Sequence, residues 1–111
     1  MDNKIEKYLE DILICITNID DYIGVPKTFE NYNANFLLQD AVERNIITIG
    51  EAMNSILKIE REIAISNSRK IVDARNKLTH GYDDIENLQI WSIIVNYLPI
   101  LKIEILDLKM K

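Results

Sequence analysis

The chain has 111 residues, enough for one domain and short for two. Hydrophobic residues make up 48% and charged residues 28%, so the chain can bury a core and remain soluble. Three glycines and two prolines favour long regular elements over a turn-rich β fold, and a net charge of −5 argues against loose, charge-driven binding to nucleic acid.

The first helix is expected from about Asn3 to Ile23. Ile5, Tyr8, Leu9, Ile12, Ile16, Ile19 and Ile23 recur at three- and four-residue steps and share one stripe. Asp2 can cap its start, and Gly24-Val25-Pro26 stops it. Residues 24–35 read as a polar connection, with Thr28, Asn31, Asn33 and Asn35 available for caps and turns and Phe29 and Tyr32 as anchors to the core.

A second long helix is expected from about Phe36 to Ile59, with Leu38, Ala41, Val42, Ile46, Ile49, Ala52, Met53, Ile56 and Leu57 keeping the helical period. Gly50 interrupts that pattern at a cost of about 1 kcal/mol relative to Ala, which points to close approach of another helix. After a polar junction, Ser66 or Asn67 can cap a third helix running to Thr79 or His80, with Ile71, Val72, Ala74 and Leu78 inward. Gly81 suits the left-handed position past its end. The fourth helix starts at Asp83 or Asp84, where Asp83 and Glu86 fit a capping box. Leu88, Trp91, Ile94, Val95, Leu98, Leu101, Ile105 and Leu108 form its stripe. Pro99 must kink or divide it, because proline lacks the amide donor. The expected architecture is all-α, an antiparallel four-helix bundle with a kinked last helix, as a single domain over residues 1–111.

The lone Cys15 permits no internal disulfide and reads as packing. MDNKIEKYLED lacks the basic start and apolar run of a signal peptide, and no uninterrupted apolar stretch approaches about 18 residues. The expectation is a cytoplasmic protein with no membrane association. Charge is unevenly spread: residues 58–80 hold six basic and three acidic groups, the rest seven basic and fifteen acidic. An anionic ligand would favour the 58–80 region; a solvated basic helix face is the plainer reading.

A single histidine excludes a histidine-rich metal site, and one Cys with one distant His gives no zinc spacing. No Gly-rich phosphate loop is present, so neither metal nor cofactor is expected. What remains is Arg75-Asn76-Lys77-Leu78-Thr79-His80-Gly81-Tyr82. Asn76 and His80 are four apart and share a helix face. Arg75 is about 140° around the helix from His80, but its long side chain can bend toward the same end. An arginine can fork onto phosphate oxygens and stabilise transition-state charge. A histidine can exchange a proton near neutral pH, and RNA supplies its own nucleophile in the 2′-hydroxyl. The plain alternative is a histidine interacting with a helix C-terminus and an arginine paired with an acid elsewhere.

RNKLTHGY resembles the R-x4-H-x-Y motif of HepT-like proteins, a prokaryotic branch of the HEPN superfamily. AVERNIITIGEAMNSI resembles the second-helix signature of that branch, with Gly50-Glu51-Ala52 at its centre. The resemblance implies a HEPN-type bundle and a metal-independent ribonuclease toxin. Arg75 and His80 would be the active-site pair, with Asn76 supporting. It also implies an RNA substrate, an MntA-type minimal nucleotidyltransferase antitoxin that transfers AMP to Tyr82, and a homodimer with a shared site. Asp73-Ala74 departs from the Gly-Met-like pair of the family, and the tryptophan often found before the third helix is absent. Glu51 has two readings: a buried acid that positions Arg75 through a salt bridge, or an exposed helix charge. Tyr82 would otherwise be a half-buried aromatic at a helix junction, and Trp91 and Tyr97 suit core or dimer packing. The rival function is a catalytically silent module that binds a nucleotide or the antitoxin in the same pocket.

Overall fold

In the computed structural model, which describes residues 1–80 and 85–111, the first helix, α1, runs Asn3–Ile23. The Asp2 carboxylate accepts from the Lys4 and Ile5 amides at 2.6 and 3.3 Å, satisfying donors that a helix start leaves open. Gly24, at φ +60°, ends the helix as its amide donates to Asp20 O.

The expected polar connection contains a short helix, α2, at Phe29–Ala34. The Thr28 hydroxyl accepts from the Asn31 amide. The Gln39 side-chain amide donates to the Tyr32 and Asn33 carbonyls at 3.0 and 3.1 Å. Tyr32 is fully buried; its ring and that of Phe29 lie 5.6 and 6.3 Å from Trp91, so the two expected anchors hold this segment against the last helix. Asn35 then caps α3, Phe36–Ile59, by accepting from the Leu38 amide.

Helix α3 is the central element, packed against α1 on one side and α4, Ser68–Thr79, on the other. Its buried row includes Val42, Ile46, Ile49, Met53 and Ile56. Asn45 is also buried there, where its side chain accepts from Asn18 of α1 and donates to Ala41 O. Cys15 is buried as expected, and burial followed by the Asp11 charge raises its thiol pKa.

The start of α4 differs from expectation. Asn67 holds the cap position in left-handed backbone, at φ 59°, without a side-chain cap bond. Ser66 is engaged elsewhere: its amide and hydroxyl donate to the Glu104 carboxylate at 3.0–3.2 Å. Inward Ile71, Val72 and Ala74 are buried, with Leu78 partly so.

The expected caps Asp83 and Asp84 lie outside the described residues. The described part of the last helix begins as α5, Asn87–Ser92, where the Gln89 side-chain carbonyl accepts from the Glu86 amide. A π-helical turn at Ile93–Tyr97 leads into α6, Leu98–Lys109. The Leu98 amide donates to Ile93 O, five residues back. Pro99 thus sits in the first turn of a new helical segment, where a missing donor costs least. The wider turn resets the register. Ile90, Ile93, Ile94, Leu98, Leu101 and Ile105 are buried, whereas Leu88 and Val95, both expected inward, are exposed.

Ser66 meets Glu104 and Lys70 meets Tyr97, so α4 and the last helix run antiparallel. Lys109 pairs with Glu10 of α1 at 3.1 Å. The described residues form an all-α helical bundle. The stretch Asn87–Lys109 is long and apolar enough to cross a membrane, judged by length and composition alone. In the fold its buried row faces the bundle core, and Ile100, Ile103 and Leu106 remain exposed.

Candidate functional site

The site is set by how closely α4 lies on α3. A Cβ placed on Gly50 would come 2.2 Å from the Arg75 Cβ, 2.8 Å from its Cγ and 3.2 Å from Ile71 O. Only glycine permits this contact. The glycine inside an otherwise good helix therefore has the reason the sequence suggested, and the side chain packed into its place is Arg75.

Arg75 is held along its whole length. Its stem lies against Gly50, and its Nε is buried with no acceptor among the described residues. At the head, Nη1 donates to Asn76 Oδ1 at 2.9 Å, and Nη2 lies 4.0 Å from Glu51 Oε1. The Thr79 hydroxyl donates to Arg75 O at 2.6 Å, one turn on; this fastening was not anticipated from the sequence, although a threonine four residues after an arginine permits it.

His80 follows the last residue of α4 and is exposed. Its amide donates to Asn76 O at 3.0 Å. Asn76 thus connects the pair, its side chain to the Arg75 guanidinium and its carbonyl to the His80 backbone. Arg75, Asn76 and His80 thus share the end of α4. Gly81 and Tyr82 lie outside the described residues.

The two readings of Glu51 meet in the structure. Glu51 does pair with Arg75, but its side chain is 54% exposed against 25% for Arg75, so it is not a buried acid. It sits one residue beyond the glycine, about 100° around α3, where α4 no longer covers it. The geometry combines the two readings: an exposed helix charge that faces the guanidinium.

Asp73 stands about 200° from Arg75 around α4. It lines a separate cleft between α4 and the last helix, together with Lys70, Lys77, Gln89 and Tyr97. Lys70 Nζ donates to the Tyr97 hydroxyl there, 5.0 Å from the ring centre. Asp73 therefore does not oppose an anion bound at Arg75.

Beside Glu51 an open groove of about 740 Å3 follows α3, lined by Tyr22, Asp40, Glu43, Arg44, Thr48 and Glu51 among others. Sequence reasoning missed it. Its signal was the polar row Asp40, Arg44, Thr48 and Glu51 at helical spacing. Burial, then the neighbouring Asp40 charge, raises the Glu43 pKa. Among the described residues no group of three His, Cys, Asp or Glu side chains comes together as a metal cluster would.

The arrangement offers one cation with part of its surface exposed, a histidine at the same helix end, and an exposed carboxylate 4.0 Å from the cation. These are the functional groups that phosphodiester cleavage uses. Comparison with known proteins gives a match to one family, described as ribonuclease HepT-like, over residues 5–108. No solved structure matches the chain.

Proposed function

This chain belongs to the ribonuclease HepT-like family, and from that premise we propose that it is a metal-independent endoribonuclease acting as the toxin of a toxin–antitoxin pair. The observation that carries this reading is the Arg75–Asn76–His80 connection at the end of α4, with Arg75 pinned against Gly50. Arg75 holds the scissile phosphate and stabilises the charge that builds on it. His80 exchanges a proton with a reacting oxygen. The attacking group is the RNA 2′-hydroxyl, so the products carry a 2′,3′-cyclic phosphate and a 5′-hydroxyl.

The same reading takes an MntA-type minimal nucleotidyltransferase as the antitoxin, transferring AMP to Tyr82. The added bulk and negative charge two residues from His80 would repel RNA phosphate. The assembly is taken to be a cytoplasmic homodimer joined through α4 and the last helix. Exposed Ile100, Ile103 and Leu106 leave an apolar strip on the latter that suits this contact.

The test is cleavage of RNA by the purified chain with chelator present, comparing wild type, His80→Ala and Arg75→Ala, each checked for helical fold by circular dichroism. Wild type is expected to cleave, and both variants are expected to be folded and inactive. Folded wild type that leaves RNA intact, or His80→Ala that cleaves as well as wild type, overturns the nuclease reading. A silent chain that still binds a nucleotide or the antitoxin would establish the binding-module alternative.

A further inference from the structure

The cleft between α4 and the last helix lies on the side of α4 away from Arg75. Its volume is about 320 Å3, at the low end of clefts that hold small ligands, ~300–1,000 Å3. Lys70, Asp73 and Lys77 form one wall, a single row at helical spacing. Gln89, Ser92 and Tyr97 form the other. The wide turn at Ile93–Tyr97 borders this wall, and π turns inside helices are frequent at functional sites. Asp73 and Ala74, the two positions that depart from the Gly-Met-like pair of the family, both line the cleft.

The hydrogen bonds made within the cleft decide what its walls have left to offer. Lys70 Nζ donates to the Tyr97 hydroxyl at 3.0 Å, which leaves two ammonium donors and the phenolic proton. The Gln89 side-chain carbonyl accepts from the Glu86 amide at 2.6 Å, so its amide group remains, with two donors. The Ser92 hydroxyl accepts from the Asn96 side-chain amide at 3.1 Å and keeps its own proton. Lys77 is exposed and adds three donors. Against these stands one carboxylate, Asp73. Among the described residues neither lysine forms an ion pair with it. Ala74 and Ile93 are buried and give the cleft an apolar floor. Two ammonium groups and donors on both walls suit an anion with several acceptor oxygens, as a phosphate has. The lone acceptor suits a hydroxyl donor a short way from that anion, and the floor suits a flat apolar ring.

We propose that this cleft is a ribonucleotide-binding site, separate from Arg75 and His80. The phosphate accepts from Lys70, Lys77 and the Tyr97 hydroxyl. A ribose hydroxyl donates to Asp73, and the base lies over Ala74 and Ile93 beside the Gln89 amide. The apolar strip of Ile100, Ile103 and Leu106 starts past Tyr97 along the last helix, so contact through that strip need not cover the cleft.

The experiment titrates the full-length chain with CMP by calorimetry and follows the Gln89 side-chain amide by NMR. CMP has no phosphodiester to cleave, so both readouts stand whether or not the chain cuts RNA. Wild type is compared with Lys77→Ala, Tyr97→Phe, Asp73→Asn and Arg75→Ala, each checked for helical fold. The expected result is binding that shifts the Gln89 amide, is at least ~10-fold weaker in Lys77→Ala, is weaker in Tyr97→Phe, and is unchanged in Arg75→Ala. The 2′,3′-dideoxy form of CMP is expected to bind more weakly than CMP to wild type and equally well to Asp73→Asn. In the His80→Ala chain, a short RNA that displaces CMP makes a strand the source of the nucleotide, and one that does not makes it a free nucleotide; both sustain the site. No binding at millimolar CMP, equal affinity in wild type and Lys77→Ala, or loss of binding in Arg75→Ala overturns it. Inorganic phosphate binding as tightly as CMP overturns the ribonucleotide assignment.

Discussion

Replacing Gly50 by Ala sets two physical effects against each other. Helix propensity alone favours the change by about 1 kcal/mol. Packing opposes it: the new methyl would lie 2.2 Å from the Arg75 Cβ and 3.2 Å from Ile71 O, where carbon pairs at rest sit about 3.5–4.0 Å apart. The Cβ and the carbonyl oxygen are fixed to the α4 backbone and cannot rotate away, so α4 itself must move by about 1 Å. Overpacking of this kind costs about 1–3 kcal/mol, and forced movement of a helix places Gly50 toward the upper end. The expected net loss is about 1–2 kcal/mol, and domains near this size lose roughly 4–8 °C of melting temperature per kcal/mol. Displacing Arg75 by about 1 Å would also lower cleavage on the order of 100-fold. Thermal melts followed by circular dichroism measure the first effect, and a double-mutant cycle isolates its cause. In an Arg75→Gly background the clashing Cβ and Cγ are gone, so Gly50→Ala is expected to be nearly neutral there, with a coupling of at least about 1 kcal/mol. A Gly50→Ala chain that melts above wild type, or a cycle without coupling, would refute the close-contact argument.

Tyr32→Phe should raise stability by about 1 kcal/mol or more, because the Tyr32 hydroxyl is buried without a partner among the described residues and such a group costs roughly 1–3 kcal/mol. An unchanged urea midpoint would count against this. Glu43→Gln should stabilise the fold at neutral pH by less than about 1 kcal/mol, the scale of a part-exposed charge. Burial and Asp40 raise the folded-state pKa of Glu43, so the native state holds that proton more tightly than the unfolded chain does. Stability is therefore lost as pH rises through the carboxylate range, and the advantage of Gln should disappear below it; melts of both proteins at neutral and acidic pH check the sign. Glu104→Ala removes the acceptor of the Ser66 amide and hydroxyl. It should cost about 1 kcal/mol at this exposed position and speed amide exchange across residues 60–67, which mass spectrometry reads directly.

Helices α1, α3 and α4 were legible because each has one apolar stripe at helical spacing. Their bounds follow from Asp2, Gly24, Asn35 and the junction before Ser68. Helix α2 was not legible. Six residues do not make a period, and Phe29 and Tyr32 are inward because Trp91, far along the chain, receives them. The last helix was half legible. Pro99 announced an interruption, but the chain absorbs it as a wide turn ahead of the proline, between Ile93 and Leu98. One extra residue in that turn shifts the register within and before it, so Leu88 and Val95 point to solvent while Ile90 and Ile93 are inside.

The site divides in the same way. Asn76 and His80 were readable as a pair, since their relation is set by one helix. The surroundings of Arg75 were not, because they come from α3, a separate helix in the bundle, and depend on how far α4 overlaps it. Gly50 carried the one advance signal, a helix-breaking residue in the middle of a regular stripe. It pointed to a close approach without naming the residue that approaches. The same overlap decides Glu51: α4 covers position 50 and leaves position 51 open, so an acid that looked equally suited to burial or to solvent faces the guanidinium from the solvent side. Gly50, Glu51 and Arg75 thus form one feature. The glycine sets the depth at which the arginine stem is buried, and that depth places the guanidinium beside the exposed carboxylate of Glu51.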